Sequence, residues 1–423
     1  MNRIILIGNG FDLAHGLETS YRNFIDWYWC EWKTHFLAYK NPPVDDILCT
    51  IDNKTSQTTF TIIFNALGYE IYNLHGYDFG KKLLSYDFNK NRLVVQPRAL
   101  FKEIHKSVET KGWVDIENEY YNLLLGQKTF LGCTVKELNE QLAFLQMKLV
   151  EYLSQFSIDN VNKKDLIEQI IYSPFKYKDI SISGTNKLIE HYKKWMKSSD
   201  KEWMFRLGLY KIKSNYLEYV NEFRKDYIET NDWAINYEML HKCPDTFLLP
   251  DNIMFLNFNY TNTAKLYLPI PKPGFEINHI HGELSNPESV IFGYGDELDE
   301  NYMKLSNLND NEYLKNFKSI KYLESDRYRK ALQFMDAAPY QVFIMEHSCG
   351  NSDRTLLNTL FEHKNCISIK PYYYMNGDKD NYLDIVQNIS RNFTDMKLMR
   401  DRVVNKTYCE PFSIKVPSTI SKE

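Results

Sequence analysis

The sequence predicts an α/β fold with a Rossmann-like, mostly parallel sheet, because short strands alternate with helical stretches near both ends of the chain. Residues 3–7 form an apolar, β-branched-rich run that ends at a Gly-Asn-Gly turn, which is typical of a strand buried on both faces. Similar apolar runs come late in the chain, at 253–256, 277–280, 290–292, 341–345 and 366–369. Helical patterns lie among the last of these, at 352–362 and 380–393.

The segment between the first strand and the later ones is predicted to be mainly helical, from about residue 95 to 240. Thr134 and Glu137 form a capping-box signature that opens an apolar stripe of Leu138, Leu142, Leu145, Leu149 and Tyr152. A second stripe consists of Leu217, Val220, Phe223 and Tyr227. Residues 40–90 are polar and fit a linker, an irregular cap or a small hairpin. The predicted division is a Rossmann-like nucleotide-binding domain, residues 1–40 and 246–423, with a mainly helical insertion at 41–245.

Composition and charge exclude several classes of protein. The 423 residues are 43% hydrophobic and 25% charged, which is ordinary for a globular chain and excludes disordered and fibrous classes. Lys and Arg total 51 against 55 Asp and Glu, and the net charge of −4 argues against nucleic acid as a partner. The seven cysteines never form a CxxC pair, which fits reduced thiols. Since the sequence has no signal-peptide core and no long apolar span, we expect a cytoplasmic protein outside the membrane.

The first candidate site is the turn at residues 8–12 (GNGFD), with His15 shortly after it. Glycines at the end of a strand let a diphosphate approach backbone N–H groups. A dinucleotide dehydrogenase would need a third glycine where this chain has Leu13, and its ribose-binding acid should end a second strand, whereas Asp26 lies in a helical pattern. Hydride transfer is therefore disfavoured, and a plain tight turn is the alternative interpretation.

The second candidate site is the turn that follows the strand at 253–258, where Asn259 and Tyr260 lie. Ligands of open α/β sheets bind outside the carboxyl ends of the strands. An amide side chain both donates and accepts hydrogen bonds, so Asn259 could orient a water or a ribose hydroxyl. Asparagine is also common in turns that bind nothing, which is the alternative.

The third candidate site ends the next strand, where His279 and His281 share one face and Gly282 follows. A histidine near its ordinary pKa can take a proton at neutral pH, so His281 is the candidate general base. His279 is interpreted as a core histidine. No third ligand follows at metal spacing, so no metal site is predicted.

The fourth candidate site is the turn at 346–353, between a predicted strand and a helix. It resembles a nucleophile elbow around Ser348, but Glu346 replaces the first glycine and only His363 follows in the sequence. A turn whose Ser348 and Asp353 face a nucleotide suits the residues better.

Two charged segments have ordinary structural explanations. Residues 113–117 (WVDIE) open a helix, where acids stabilise the helix dipole, although Glu117 could also point into a crevice. The basic stretch at 318–330 is predicted to be a solvated helix face.

Residues 4–17 (IILIGNGFDLAHGL), with Thr19, Ser20, Tyr21 and Phe24, closely resemble the opening motif of the AbiH family of bacterial phage abortive-infection proteins. Segments similar to the family's later blocks follow in order, at 113–117, 257–261, 281–282, 292–293 and 347–353. The resemblance spans nearly the whole chain and implies an antiphage role.

A more distant likeness is to sirtuin-type NAD-consuming domains, which join a Gly-x-Gly turn, an asparagine turn and a His-Gly pair on one sheet. Gly8 and Gly10 match the phosphate-turn glycines, Asn259 matches the catalytic asparagine, and His281 matches the general base. Asp12 stands where sirtuins have a small hydroxyl residue. The sequence lacks their zinc-binding cysteine quartet, which argues against protein deacylation.

These resemblances imply an NAD glycohydrolase, with NAD or a related nucleotide as substrate and no cofactor or metal. Glycosidic cleavage passes through an oxocarbenium-like state, so positioning and charge stabilisation carry the reaction. The expected catalytic residues are His281, Asn259 and Asp12. The expected nucleotide-binding residues are Gly8, Asn9, Gly10, Phe11, His15, Tyr260, Gly282, Ser348 and Asp353. An unknown phage trigger would gate the activity, with the helical insertion as a sensor or homo-oligomer surface.

Two alternative functions stay open from the sequence. One is a non-catalytic sensor that binds a nucleotide and recruits an effector. The other is a nuclease, or a serine hydrolase that uses Ser348.

Overall fold

The structure, a computed structural model, describes residues 1–111, 115–126, 132–228, 242–270, 272–377 and 379–412. The strands are β1 (Asn2–Ile7), β2 (Cys49–Asn53), β3 (Leu93–Pro97), β4 (Ile253–Asn257), β5 (Phe275–His279), β6 (Tyr340–Met345), β7 (Cys366–Tyr372), β8 (Met375–Asn376) and β9 (Lys379–Asp380). The first α-helices are α1 (Asn9–Ala14), α2 (Tyr21–Tyr39), α3 (Thr59–Leu67), α4 (Glu70–Asn73), α5 (Gly76–Ser85), α6 (Ala99–Lys111), α7 (Ile116–Leu124), α8 (Val135–Leu153) and α9 (Asp165–Ile171). The later α-helices are α10 (Thr185–Lys197), α11 (Asp200–Leu209), α12 (Tyr216–Ile228), α13 (Glu300–Ser306), α14 (Lys318–Lys321), α15 (Arg327–Ala337), α16 (Arg354–Glu362), α17 (Tyr382–Arg391) and α18 (Met396–Arg402).

Five of the described strands form one parallel sheet, in the order β5-β4-β1-β6-β7. β1 lies in the centre, where Ile5 pairs with Phe255 of β4 and with Phe343 of β6. All six residues of β1 are buried, as its continuous apolar run predicts. After β1 the chain adds β4 and β5 on one side, then β6 and β7 on the other. The connections therefore separate beside β1 and leave a crevice at its carboxyl end. The strands predicted at 253–256, 277–280, 341–345 and 366–369 are confirmed as β4, β5, β6 and β7, with small shifts of their ends.

The strand predicted at 290–292 is wrong. These residues are buried, but they form an irregular segment. The Ile291 N–H donates to the His281 carbonyl oxygen, and the Gly293 N–H donates to the Glu117 carboxylate, so the backbone is paired outside any strand ladder. A three-residue apolar run has the same pattern in a buried loop as in a strand, which is why the sequence misleads here.

Helices cover both faces of the sheet. Alternate side chains of β1 point to opposite faces, with Ile4 and Leu6 packed in the layer of α15, α16 and α17. Ile5 and Ile7 pack in the layer of α1 and α9. The helices predicted at 352–362 and 380–393 are confirmed as α16 and α17, so the mixed α/β class is confirmed as well.

Much of the predicted helical segment packs in an apolar core that also includes α2, Phe292 and Phe317. The capping box of Thr134 and Glu137 opens α8, and the stripe of this helix is buried against α2, α5, α6 and α7. In α12, Leu217, Val220 and Phe223 pack with α10 and α11, whereas the side chain of Tyr227 lies outside the described residues. β2 and β3 pair antiparallel and flank α3, α4 and α5, so the 40–90 segment is a small sheet with helices between its strands.

The domain boundaries predicted after residues 40 and 245 stay a prediction, and apolar packing crosses both. α2 belongs to the predicted nucleotide-binding domain but packs in the helical core. α9 belongs to the predicted insertion but covers one face of the sheet. None of the described helices combines the length and apolar character that a membrane crossing requires.

Candidate functional site

A cavity of about 340 Å³ opens at the carboxyl ends of β1, β4 and β6. Nine of the twelve predicted site residues line it, namely Gly8, Asn9, Gly10, Asp12, Asn259, Tyr260, His281, Ser348 and Asp353. The helical region adds Leu149 and Leu153 of α8 together with Asp115 and Glu117 at the start of α7. The predicted convergence of three distant strand-end motifs on one hollow is therefore confirmed.

The glycine turn between β1 and α1 has no room for side chains, because the turn after β6 lies against it. A Cβ added to Gly8 would lie 2.5 Å from the Glu346 carbonyl oxygen, and one added to Gly10 would lie 2.4 Å from Glu346 Oε2. The close approach of this second turn therefore requires both glycines. The first N–H groups of α1 have no intrahelical acceptor and could donate to a phosphate. However, the group nearest to a Cβ built on Gly10 is the Glu346 carboxyl, which would repel a phosphate when ionised. The diphosphate contact of these glycines stays a prediction.

Asp12 connects α1 to the turn after β4. Its two carboxylate oxygens accept hydrogen bonds from the hydroxyls of Thr261, at 2.5 Å, and Thr263, at 2.6 Å. Burial raises the pKa of the Asp12 carboxyl to about 6, against the opposing effect of these two hydrogen bonds. Asp12 thus holds the two turns together as well as lining the cavity.

Asn259 and Tyr260 hold the turn after β4 in place. The Asn259 side-chain Nδ2 donates to the Gly8 carbonyl oxygen at 2.9 Å, and its backbone N–H donates to Asn257 Oδ1 at 3.0 Å. The Tyr260 hydroxyl donates to the Ile291 carbonyl oxygen at 3.0 Å. Burial raises the pKa of Tyr260 well above its ordinary value, so its hydroxyl stays protonated.

Asp353, directly before α16, is the centre of a buried charged cluster. Its Oδ1 lies 2.8 Å from Lys318 Nζ and 3.1 Å from His281 Nε2, and its Oδ2 lies 3.8 Å from His347 Nε2. Burial alone would raise the pKa of Asp353, but Lys318 and His281 hold it well below its usual range. Asp353 is therefore a buried anion surrounded by nitrogen donors.

His281 lies two residues after the end of β5, next to this anion. Burial, and secondarily Lys318, lowers the pKa of His281 against the opposing effect of Asp353, so the ring is neutral at pH 7. Its Nε2 also lies 3.2 Å from the Tyr322 hydroxyl. The ring is also hydrogen-bonded to the Phe258 backbone, and Asp353 orients it from the other side. The role of His281 as a general base stays a prediction. His279 is buried and bonded to side-chain amides, as predicted for a core histidine.

The prediction that residues 318–330 form a solvated helix face is wrong for Lys318. This residue is 1% exposed, and its Nζ lies 2.9 Å from Glu117 Oε2 and 2.8 Å from Asp353 Oδ1. Burial alone would lower the pKa of Lys318, but Asp353 and Glu117 raise it above its usual range, so Lys318 stays charged. Two carboxylates from distant segments thus explain why a lysine is buried here.

Glu117 lines the cavity, so the expectation that it points into a crevice is confirmed. Its Oε1 accepts the Gly293 N–H at 3.1 Å, and burial raises the pKa of its carboxyl despite Lys318. Asp115 is the N-cap of α7, where its side chain accepts the backbone N–H of Asn118. Trp113 and Val114, the first residues of the predicted motif, lie outside the described residues.

Glu346 and His347, two residues outside the predicted set, also line the cavity. Glu346 directly follows β6 with a φ of +57°, a left-handed conformation that is uncommon for non-glycine residues. Burial raises the pKa of its carboxyl to about 7, and none of the described residues pairs with that carboxyl. His347 Nδ1 accepts the Cys349 N–H at 3.0 Å, and burial lowers the pKa of His347 to about 4. Their position directly after a predicted strand is the sequence signal that identifies them.

Phe11, His15 and Gly282 are not among the residues that line the cavity. Phe11 is buried in the layer of α1 and α9. The His15 ring is bonded to the Phe11 carbonyl oxygen and to the Tyr267 hydroxyl, each at 2.7 Å. Gly282 has a φ of +88°, and a Cβ there would lie 2.1 Å from the Ser289 carbonyl oxygen, so chain packing accounts for this glycine.

The cavity lining is acidic. Five carboxyl groups contribute to it, from Asp12, Asp115, Glu117, Glu346 and Asp353. Among the described lining residues, Lys318 is the single lysine or arginine. Such a lining favours a neutral or cationic part of a ligand over a deeply buried phosphate.

The fold and the cavity define an α/β protein whose candidate site lies at the carboxyl ends of parallel strands, where the strand order reverses. The family model of bacteriophage abortive infection AbiH proteins matches residues 4–374, so this chain belongs to that family. Membership confirms the resemblance seen in the sequence and indicates a role in abortive infection, a defence against phage. No curated protein and no solved structure matches the chain.

Proposed function

We propose that this protein is a cytoplasmic antiphage effector that hydrolyses the N-glycosidic bond of NAD or a related nucleotide. The main support is the pairing of His281 with Asp353 at 3.1 Å, at the cavity that also contains Asn259 and the glycine turn. We interpret the sheet as Rossmann-like, because its strand order, 3-2-1-4-5 when the sheet strands are counted along the chain, is that of doubly wound nucleotide-binding sheets.

The acidic lining suits the chemistry of this bond. Positive charge develops on the ribose as nicotinamide leaves, and fixed carboxylates stabilise that charge. In the proposed step a water oxygen bonds to the anomeric carbon, and nicotinamide leaves with the electron pair of the broken C–N bond. His281 takes the proton of that water, and Asn259 orients the water or a ribose hydroxyl.

The diphosphate is the part of NAD that this lining accommodates least easily. A Cβ added to Gly10 would lie 2.4 Å from Glu346 Oε2, so this carboxyl is very close to the glycine turn. An ionised Glu346 would therefore repel a phosphate bound at the turn. Burial has already raised the pKa of Glu346 to about 7. We therefore propose that Glu346 takes up a proton, or turns aside, when the diphosphate binds.

The helical region offers a route for gating by a phage trigger. α7 brings Glu117 to Lys318, and α8 contributes Leu149 and Leu153 to the cavity wall. A trigger or a second copy that shifts these helices would therefore move groups at the site itself.

The test is NAD turnover by the purified protein, with and without extract from phage-infected cells. Wild type should release nicotinamide when triggered, and His281→Ala and Asn259→Ala should lower the rate at least about 100-fold, as for loss of a general base or a positioning group. His35→Gln, a change on α2 outside the cavity, is the matched control and should keep the rate. NAD that persists under every triggering condition, or equal rates in wild type and His281→Ala, would contradict the proposal.

A non-catalytic nucleotide sensor is the second candidate, and one observation favours it. His281 Nε2 is engaged by Asp353 and Tyr322, and the Asn259 amide is bonded to Gly8, so both groups also serve as structural links. A sensor would be stabilised against thermal unfolding by NAD without producing nicotinamide. The turnover experiment separates the two functions.

The serine hydrolase alternative has less support. Ser348 is exposed at the cavity, but no described histidine is hydrogen-bonded to its hydroxyl. The left-handed backbone of this turn falls at Glu346 and Cys349, with φ of +57° and +53°, rather than at the serine. Labelling of Ser348 by a phosphonate would favour the alternative.

A further inference from the structure

Outside the cavity, three side chains with metal-binding chemistry meet between α2 and α5. Asp26 and Cys30 are one turn apart on α2 and therefore lie on the same face of that helix. His75 is the N-cap residue of α5 and faces them. One potential ligand atom from each residue lies within 4.8 Å of the other two.

The distances within this cluster are short enough for the three side chains to bind one metal ion. Zinc–ligand bonds of about 2.3 Å to sulfur and about 2.0–2.1 Å to nitrogen and oxygen give ligand–ligand separations of about 3.6 Å for S···N and about 3.3 Å for N···O. In the cluster, Cys30 Sγ lies 3.7 Å from His75 Nδ1 and 3.5 Å from His75 Nε2, and His75 Nδ1 lies 3.4 Å from Asp26 Oδ2. The S···N and N···O separations at Nδ1 are close to the tetrahedral values. Because Sγ lies near both ring nitrogens, the exposed His75 ring must turn for Nδ1 to bind an ion shared with Cys30.

The surrounding backbone orients the three side chains as outer contacts do in metal sites. The Tyr77 N–H donates to Asp26 Oδ1 at 2.8 Å, which leaves Oδ2 for another partner. The Gly76 backbone donates a hydrogen bond to the Cys30 sulfur. Gly76 has a φ of +32°, and a Cβ there would lie 2.1 Å from Asp26 Oδ1, so only glycine allows this approach.

We propose that Asp26, Cys30 and His75 bind one zinc ion, with water or an external ligand in the fourth position. A thiolate and a carboxylate balance the charge of Zn²⁺, and the S, N and O donors are those that zinc prefers. The side chain of His75 is 80% exposed, so the ion is reachable from solvent and exchangeable. The ion would connect α2 to α5 within the helical region, and this site does not depend on the function proposed for the cavity.

The sequence gives no zinc signature because the ligands come from separate helices. Forty-five positions separate Cys30 from His75, and neither residue belongs to a CxxC or HxxxH pattern. The site is formed only when α5 packs against α2.

Cobalt(II) titration of the tag-free, metal-depleted full-length protein tests the site, because a thiolate ligand gives Co²⁺ a sulfur-to-metal charge-transfer band. Wild type should develop this band with one equivalent of CoCl₂ and lose it when one equivalent of ZnCl₂ is added. Cys30→Ser should abolish the band, and His75→Gln should weaken Zn²⁺ binding at least about 100-fold, because loss of an outer-sphere contact alone costs 10–100-fold.

Cys133→Ser is the matched control, since Cys133 is another half-buried thiol and should leave the band and the stoichiometry unchanged. Circular dichroism of each variant verifies that it is folded. A band that survives in Cys30→Ser, or binding that needs a large excess of Co²⁺ in the folded wild type, would overturn the proposal.

Discussion

Replacement of Lys318 by methionine tests whether the buried charged cluster holds the cavity together. Lys318 is 1% exposed and lies between the carboxylates of Glu117 and Asp353, at 2.9 and 2.8 Å. Removal of one partner from a buried ion pair costs about 3–5 kcal/mol, because the remaining charge is left buried without compensation. Methionine keeps much of the apolar stem, so lost packing contributes little.

The expected shift in melting temperature follows from the size of the chain. An unfolding entropy of about 2.1 cal/mol/K per residue gives about 0.9 kcal/mol/K for 423 residues, if the chain unfolds in one step. The loss then lowers Tm by about 3–6 °C. Without Lys318 the pKa of Asp353 should rise from its depressed wild-type value, so the folded variant takes up a proton at a higher pH than folded wild type does. The deficit should therefore be smaller at pH 5 than at pH 8.

Thermal and urea unfolding of the variants at both pH values measures this effect. Lys321→Met is the matched control, because Lys321 is partly exposed and paired with Glu324 at the surface, where such pairs contribute about 0–1 kcal/mol. The double variant Lys318→Met/Glu117→Gln should recover part of the loss, since it removes one unpaired carboxylate. If the free energy of unfolding of Lys318→Met is within about 1 kcal/mol of the wild-type value, Lys318 contributes no more than a solvated lysine. The charged cluster then does not stabilise the fold.

Three further predictions concern the cavity. Glu346→Gln should strengthen NAD binding about tenfold at pH 8, as measured by calorimetry, because it removes a negative charge beside Gly10; weaker binding would exclude the repulsion inferred here. Gly10→Ala should destabilise the protein by about 1–3 kcal/mol in urea unfolding, because the added Cβ meets the Glu346 side chain. Gly8→Ala should destabilise it more, because the added Cβ meets backbone atoms. If both variants are as stable as wild type, the two turns do not approach each other closely. At saturating NAD, where repulsion by Glu346 no longer limits binding, the triggered turnover rate should be level from pH 8 to 7 and fall only below about pH 6.5, because the pKa of His281 is lowered from that ordinary value. A rate that falls between pH 8 and 7 would argue against His281 as the base.

The meeting of the three strand-end motifs could be predicted from sequence, because parallel strands end at one edge of a sheet. Residues 8–12, Asn259 and His281 each follow an apolar run that is confirmed as a strand. This argument needs only the strand positions and directions. The convergence is therefore found even though the prediction of a strand at 290–292 is wrong.

The charged cluster could not be predicted in the same way, because long-range pairing decides whether a charge is buried. The two partners of Lys318 lie 201 and 35 positions away along the chain. Its local pattern of mixed charges and tyrosines is the same in an exposed helix.

Phe11 and His15 show a second limit of prediction from sequence. Because α1 begins at Asn9, the two rings lie one helical turn apart, with centroids 4.7 Å apart and a tilt of 43°, away from the cavity lining.

A crystal structure of the His281→Ala protein with NAD tests the central claim most directly, since this variant should bind the substrate without consuming it. The ribose next to nicotinamide should lie in the cavity within hydrogen-bond distance of Asn259, with the vacated imidazole position beside the reacting carbon. NAD bound elsewhere on the protein, or no bound NAD at millimolar concentration, would contradict the assignment of this cavity as the functional site.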